Sequence, residues 1–215
     1  MPSVIVIGAG SGIGAAVARR FARQRLPVAL IARSEATLAA VAGTLAPSGV
    51  QTVCLAADSA DEVALREVLD AAVAQLGVPE AIVYNAAIIQ RDRPGELSVQ
   101  GQMAAWAVNV IGALTAVTHL APAMARRGGG SFIVTGGMPE PDPRYTSLSL
   151  GKAGVRALVS LLDKQYGPEG VHVATVTVAG AVAPGTVFDP EDIAEHYWRL
   201  HAQPRGSWQR EVIHR

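Results

Sequence analysis

Residues 4 to 17 of this 215-residue chain read Val-Ile-Val-Ile-Gly-Ala-Gly-Ser-Gly-Ile-Gly-Ala-Ala-Val, and no other stretch restricts the fold as much. Val4 to Ile7 form a short apolar, β-branched run, the pattern of a strand buried on both faces. Gly8, Gly10, Gly12 and Gly14 follow, and then an Ala- and Arg-rich run, Ala15 to Arg25, with helical character. Strand, glycine-rich turn and helix in that order bring bare backbone N–H groups against a phosphate at a helix N-terminus. In this context the glycines predict a dinucleotide site rather than a merely tight turn.

The same alternation continues along the chain. Apolar runs at Val28–Ala32, Val50–Ala56, Ala81–Tyr84, Ser131–Thr135 and Val171–Val178 predict strands. Helical stretches lie between them at Glu35–Leu45, Ala60–Leu76, about Gly101–Arg127 and about Ser149–Tyr166. Pro139, Pro141 and Pro143 make the segment from Met138 to Arg144 a loop. A short helix at Pro190–Gln203 and a strand-like piece at Trp208–His214 close the chain. The expectation is an α/β, Rossmann-type, doubly wound fold in one domain spanning 1–215. Its seven-stranded sheet is mostly parallel, with helices on both faces and a ligand crevice at the strands' carboxyl ends.

Composition narrows the partners. Half the residues are hydrophobic, 17% are charged and the formal net charge is zero, so no basic excess points to nucleic acid or an anionic membrane. The apolar runs look too short to span a bilayer. With Met1 leading directly into the first strand, no leader peptide is expected. One cysteine, Cys54, excludes an intrachain disulfide and suits a cytoplasmic protein, and the residue itself is expected to pack in the third strand. No Gly-x-Ser-x-Gly elbow supports an esterase. His196 and His201 near Glu191, Asp192 and Glu195 lack metal-ligand spacing, so no metal is expected. His119 is expected in the core or at an interface.

At this point the chain resembles the short-chain dehydrogenase/reductase family over nearly its full length. The family's Gly-x-x-x-Gly-x-Gly falls on Gly8, Gly12 and Gly14, with Ser11 and Ile13 inside the turn. Asp58 matches the adenine-ring contact, and the Asn-Asn-Ala-Gly segment is represented by Tyr84-Asn85-Ala86-Ala87. Asn109 and Lys152 match two members of the family's catalytic tetrad. The resemblance implies a nicotinamide cofactor held by Gly8, Ser11, Gly12, Ile13, Gly14, Asp58, Asn85 and Lys152. It also implies a homodimer or homotetramer built on the two long apolar helices.

The end of the second strand bears on which cofactor. NAD-preferring proteins place a carboxylate there for the ribose hydroxyls. Here Ala32 is followed by Arg33, whose guanidinium suits a 2′-phosphate, so NADP(H) is expected.

The chain also departs from the family. Four residues before Lys152, where the family carries its proton-donating tyrosine, stands Leu148; at the serine position stands Gly137. Tyr145 lies seven residues before Lys152, ~10.5 Å of helical rise against ~6 Å for the usual spacing. A bend after Pro143 would let it act as a displaced acid. Thr135, Ser147 and Ser149 are further candidates for contacting a substrate oxygen, and Glu140 and Asp142 for acid chemistry if desolvated. Beyond the sixth strand only Val187–Gln203 remains to cover the crevice, a shortened substrate lid.

Three functions follow as expectations. The first is an atypical NADP(H)-dependent oxidoreductase acting on a carbonyl, imine or activated alkene, with Lys152, Asn109 and Tyr145 as catalytic residues. The second is an NADP(H)-binding sensor without catalysis. The third is a non-redox cyclase, dehydratase or isomerase on the same scaffold.

Overall fold

The computed structural model describes residues 2–215. Seven strands form one sheet: β1 (Val4–Ile7), β2 (Val28–Ala32), β3 (Thr52–Ala56), β4 (Ala81–Tyr84), β5 (Gly130–Gly137), β6 (Val171–Val178) and β7 (Glu211–His214). Their order is β3-β2-β1-β4-β5-β6-β7. Every pairing is parallel, so the sheet is wholly parallel rather than mostly so. Strand order reverses between β1 and β4, and the gap beyond their carboxyl ends is where a doubly wound sheet binds ligands.

The strand residues divide between two cores as their alternation demands. Val4, Val6, Val28 and Leu30 face one side, under α1 (Ile13–Ala22), α2 (Glu35–Leu45) and α7 (Pro190–His201). Ile5, Ile7, Ala29 and Ile31 face the other, under α3 (Glu62–Leu76), α5 (Gly112–Arg126) and α6 (Thr146–Tyr166). Central strands covered on both faces need no polar side, and so β1 and β4 are apolar throughout. Helix starts follow local chemistry: Ser34, Asp61 and Asp189 each accept a backbone N–H from the first turn of the helix they precede.

The long helix foreseen at Gly101–Arg127 is not uniform. It begins as α4 (Val99–Trp106), widens into a π-helical segment at Ala107–Ile111 and resumes as α5. The Tyr84 hydroxyl donates to the Val108 carbonyl at 2.5 Å, and Asn109 bonds the backbone of Ile88, so two side-chain interactions meet at the widened turn. Gly112 abuts the Tyr84 hydroxyl and the Ser59 carbonyl, contacts that a Cβ would overlap. Such π-bulges mark functional sites often enough to draw attention to Asn109.

Residues 99–126 form a 28-residue helical stretch containing an 18-residue apolar stretch of mean hydropathy 1.5, enough to cross a membrane by length and composition, contrary to the sequence expectation. More than half of that apolar stretch (56%) is buried inside the protein, as in a core helix. Other boundaries also shift. β5 runs two residues further than expected, to Gly137, because every residue from Gly130 onward pairs with β6. α6 starts three residues early, at Thr146. Cys54 is exposed on edge strand β3 rather than packed in the core. His119 lies between helices, its ring bonded to Asp70 at 2.7 Å.

Candidate active site

The glycines of the first turn do two different jobs. Gly8 has φ +84° and a Cβ there would stand 2.6 Å from Ala86 Cα, so β1 and the exit of β4 meet backbone to backbone. At Gly14 a Cβ would stand 2.9 Å from Ala9 Cα, so this glycine lets α1 close on the turn. Gly10 and Gly12, in contrast, have nothing within 4 Å of the Cβ position. Their bare backbone borders open space at the N-terminus of α1, as a pyrophosphate requires.

A cavity of about 330 Å³ runs from this turn past the end of β2. Gly8, Arg33, Asp58 and Asn85 line it, together with Ser34 and Thr37, which sequence reasoning missed. Gly12 caps α1 beside it and Ser11 is exposed, whereas Ile13 and Gly14 are buried in packing. Arg33 is exposed and has no carboxylate partner among the described residues. The last residue of β2 itself is Ala32, with no carboxylate. These residues fit a nicotinamide dinucleotide carrying a 2′-phosphate.

Lys152 on α6 and Asn109 in the π-helical turn are brought near each other through Gly151. Asn109 is almost wholly buried, accepting the Ile88 N–H at 2.7 Å, which fixes the loop leaving β4. Gly151 allows α6 to approach it: a Cβ there would lie 2.8 Å from Asn109 Cβ. Lys152 donates from Nζ to the Thr135 carbonyl at 2.6 Å, and burial pushes its ammonium down to about 8. Gly137 lies beside this lysine, since its Cβ position is 3.7 Å from Lys152 Cε. Leu148 is buried one turn before Lys152 on α6.

Tyr145 is not drawn toward Lys152 by any hydrogen bond among the described residues. It precedes α6, and its hydroxyl accepts from Arg91 Nε at 3.3 Å while the guanidinium lies 5.9 Å from its ring centre. The helix start is set instead by Asp92, a buried carboxylate with no sequence signature. Its two oxygens accept from the Ser147 N–H at 2.9 Å and the Ser147 hydroxyl at 2.8 Å. This explains the early start of α6, because Asp92 satisfies the backbone at the first turn.

The other polar candidates are committed elsewhere. Ser147 is bound to Asp92, and Ser149 bonds the backbone of Asp142. Thr135 donates its hydroxyl hydrogen to Asn85. Asp142 is not a desolvated acid: hydrogen bonds from Arg144 hold its carboxyl down at about 2. Glu140 is exposed. His196 pairs with His214 and His201 with Ser131. Among the described residues no cluster of three His, Cys, Asp or Glu could hold a metal.

The sequence profile of the family described as short chain dehydrogenase matches residues 2–190. The probable galactose dehydrogenase GalD of Rhizobium meliloti is 33% identical over 191 residues, covering 86% of this chain and 71% of that protein. A short-chain dehydrogenase from Rhodopseudomonas palustris superposes with a TM-score of 0.90 at 24% identity, over 100% of this chain and 98% of that one. A metagenomic short-chain oxidoreductase in complex with NADP does so with a TM-score of 0.90 at 25% identity, over 99% and 96%. This chain belongs to the short-chain dehydrogenase/reductase family of NAD(P)-binding oxidoreductases.

The buried ammonium of Lys152 predicts a trade of stability for function. Its folded value of about 8 lies below the unfolded ~10.4, so the unfolded chain binds more protons between those limits. Stability from this group therefore rises with pH across that window and is lowest below it. Lys152→Met is expected to stabilise the fold at pH 7 by roughly 1–3 kcal/mol, with the gain fading above about pH 10. Urea unfolding at both pH values checks this; a variant less stable at pH 7 would contradict it.

Proposed function

We propose that this protein is an atypical NADP(H)-dependent oxidoreductase acting on a carbonyl, imine or activated alkene. The observation that carries the proposal is the open glycine cradle joined by one cavity to the unpaired Arg33. Gly8, Gly12 and Asn85 would hold the pyrophosphate side, Arg33 the 2′-phosphate, Asp58 the adenine and Lys152 the nicotinamide ribose. NADP(H), when bound there, supplies or accepts hydride. That the metagenomic relative binds NADP supports the same choice.

The site's own residues account for the atypical part. Leu148 has no proton to give and Gly137 no hydroxyl to orient a substrate oxygen. Two of the family's four tetrad positions thus lack their function, while Asn109 and Lys152 keep theirs. A substrate that arrives already cationic, such as an iminium, needs no proton from the protein and suits this arrangement. Tyr145 is the remaining phenol at the entry of α6. It accepts from Arg91 and so keeps its own hydrogen to donate.

The same two replacements favour a second reading, a cofactor-binding sensor without turnover. The non-redox reading has lost Asp142, which Arg144 neutralises. A second copy of the chain would cover the exposed Val99, Met103 and Trp106, spaced along one face of α4, together with Leu161 of α6. α7 is packed into the core through Ile193, Ala194 and Tyr197, so a substrate lid would come from the 179–189 segment before it.

A panel of aldehydes, ketones and cyclic imines with NADPH tests the proposal. Wild type is expected to turn over imines at least ~10-fold faster than ketones, and Leu148→Tyr with Gly137→Ser to raise ketone reduction at least ~100-fold. The space beside Gly137, with nothing nearer than 3.5 Å, admits the serine. No turnover by either protein despite NADPH binding would favour the sensor. Tyr145→Phe is expected to cut turnover ~100-fold with NADPH affinity unchanged; unaltered turnover would remove Tyr145 from the mechanism.

A further inference from the structure

Tyr197 of α7 is fully buried, and its hydroxyl stands 2.6 Å from Thr135 Oγ1. The direction of every proton in this contact is determined from its far end. The Gly8 carbonyl only accepts, so Asn85 must turn Nδ2 toward it, at 2.9 Å. Asn85 Oδ1 then faces Thr135 Oγ1 at 2.8 Å, and the threonine has one hydroxyl hydrogen to give it. Thr135 consequently accepts from Tyr197. Burial pushes the tyrosine pKa up, which keeps that donor protonated. One unbranched series of donors therefore runs Tyr197, Thr135, Asn85 and ends on the Gly8 carbonyl as acceptor.

Two further contacts make this series more than local. The backbone oxygen of Thr135 accepts from Lys152, so both halves of the site share one residue. α7 also grips α1, the helix that opens at the glycine turn. Glu191 bridges Arg19 and Arg23, and the Arg20 guanidinium lies 4.9 Å over the Trp198 ring. α7 thus holds the turn from two directions, through α1 at the surface and through Tyr197 in the core.

We propose that Tyr197 is a positioning residue for the cofactor turn, acting through Thr135 and Asn85, so that α7 and the dinucleotide crevice order together. The proposal rests on the NADP(H) reading. By linkage, a cofactor that needs the ordered turn also tightens α7.

The test combines NADPH fluorescence titration with amide hydrogen exchange on the cofactor-free protein. Thr135→Val is expected to weaken NADPH binding ~10-fold, about one buried hydrogen bond, while Thr135→Ser restores it to within ~2-fold. Tyr197→Phe weakens it ~3-fold alone and adds nothing to Thr135→Val, because it acts only through that hydroxyl. Without cofactor, the amides of residues 8–14 exchange ~10-fold faster in Thr135→Val and detectably faster in Tyr197→Phe. NADPH slows exchange in α7 of wild type but not of Thr135→Val. Wild-type exchange at residues 8–14 in Thr135→Val, or additive losses of affinity in the double variant, would overturn the proposal. Should wild type bind no NADPH, the cofactor reading falls, and the cofactor-free exchange comparison alone decides the role of Tyr197.

Discussion

The close approach of two backbones, Gly8 at the end of β1 and Ala86 beyond β4, is the constraint on which the rest of the site depends. Any side chain at residue 8 would drive the two strand exits apart where the sheet changes direction. That separation would remove the Asn85 bond to the Gly8 carbonyl and displace α1, whose first turn closes on Ala9 through Gly14. The cavity exists because two glycines permit contact while two others, Gly10 and Gly12, leave room. One sequence pattern serves both needs, and packing distinguishes them.

The fold was legible because its determinants are local and periodic. Val4–Ile7 and Ala81–Tyr84 were recognisable as buried strands, since a sheet covered on both faces tolerates no polar alternation. The lining of the cavity was legible for a related reason, as Gly8, Arg33 and Asn85 follow directly on strand ends and Asp58 lies two residues beyond one. Positions that depend on distant partners were not. Asp92 sits in an unremarkable Arg-Asp-Arg-Pro stretch and gains its role only when Ser147 arrives 55 residues later. Tyr197 carries no sequence signature within the short helix at Pro190–Gln203, yet its buried hydroxyl stands 2.6 Å from Thr135, 62 residues earlier. The π-helical turn at Asn109 likewise reflects interactions of Tyr84 and the Ile88 backbone that no helical periodicity displays.

The chemistry of the site divides along the same line. The glycine turn, Asp58, Asn85, Asn109 and Lys152 match the family pattern, whereas Gly137 and Leu148 carry no polar side chain. Lys152 lies between the halves, with its charge buried at some cost to stability and its ammonium anchored on Thr135.

The most direct test of this account is a parallel titration of the wild-type protein and Arg33→Ala with NADPH and NADH, followed by nicotinamide fluorescence. NADPH is expected to bind at least ~10-fold tighter than NADH in wild type, a gap of ~1.4 kcal/mol that disappears in Arg33→Ala. Equal affinities in wild type would contradict the role given to Arg33. Failure of either nucleotide to bind would contradict the cofactor site itself.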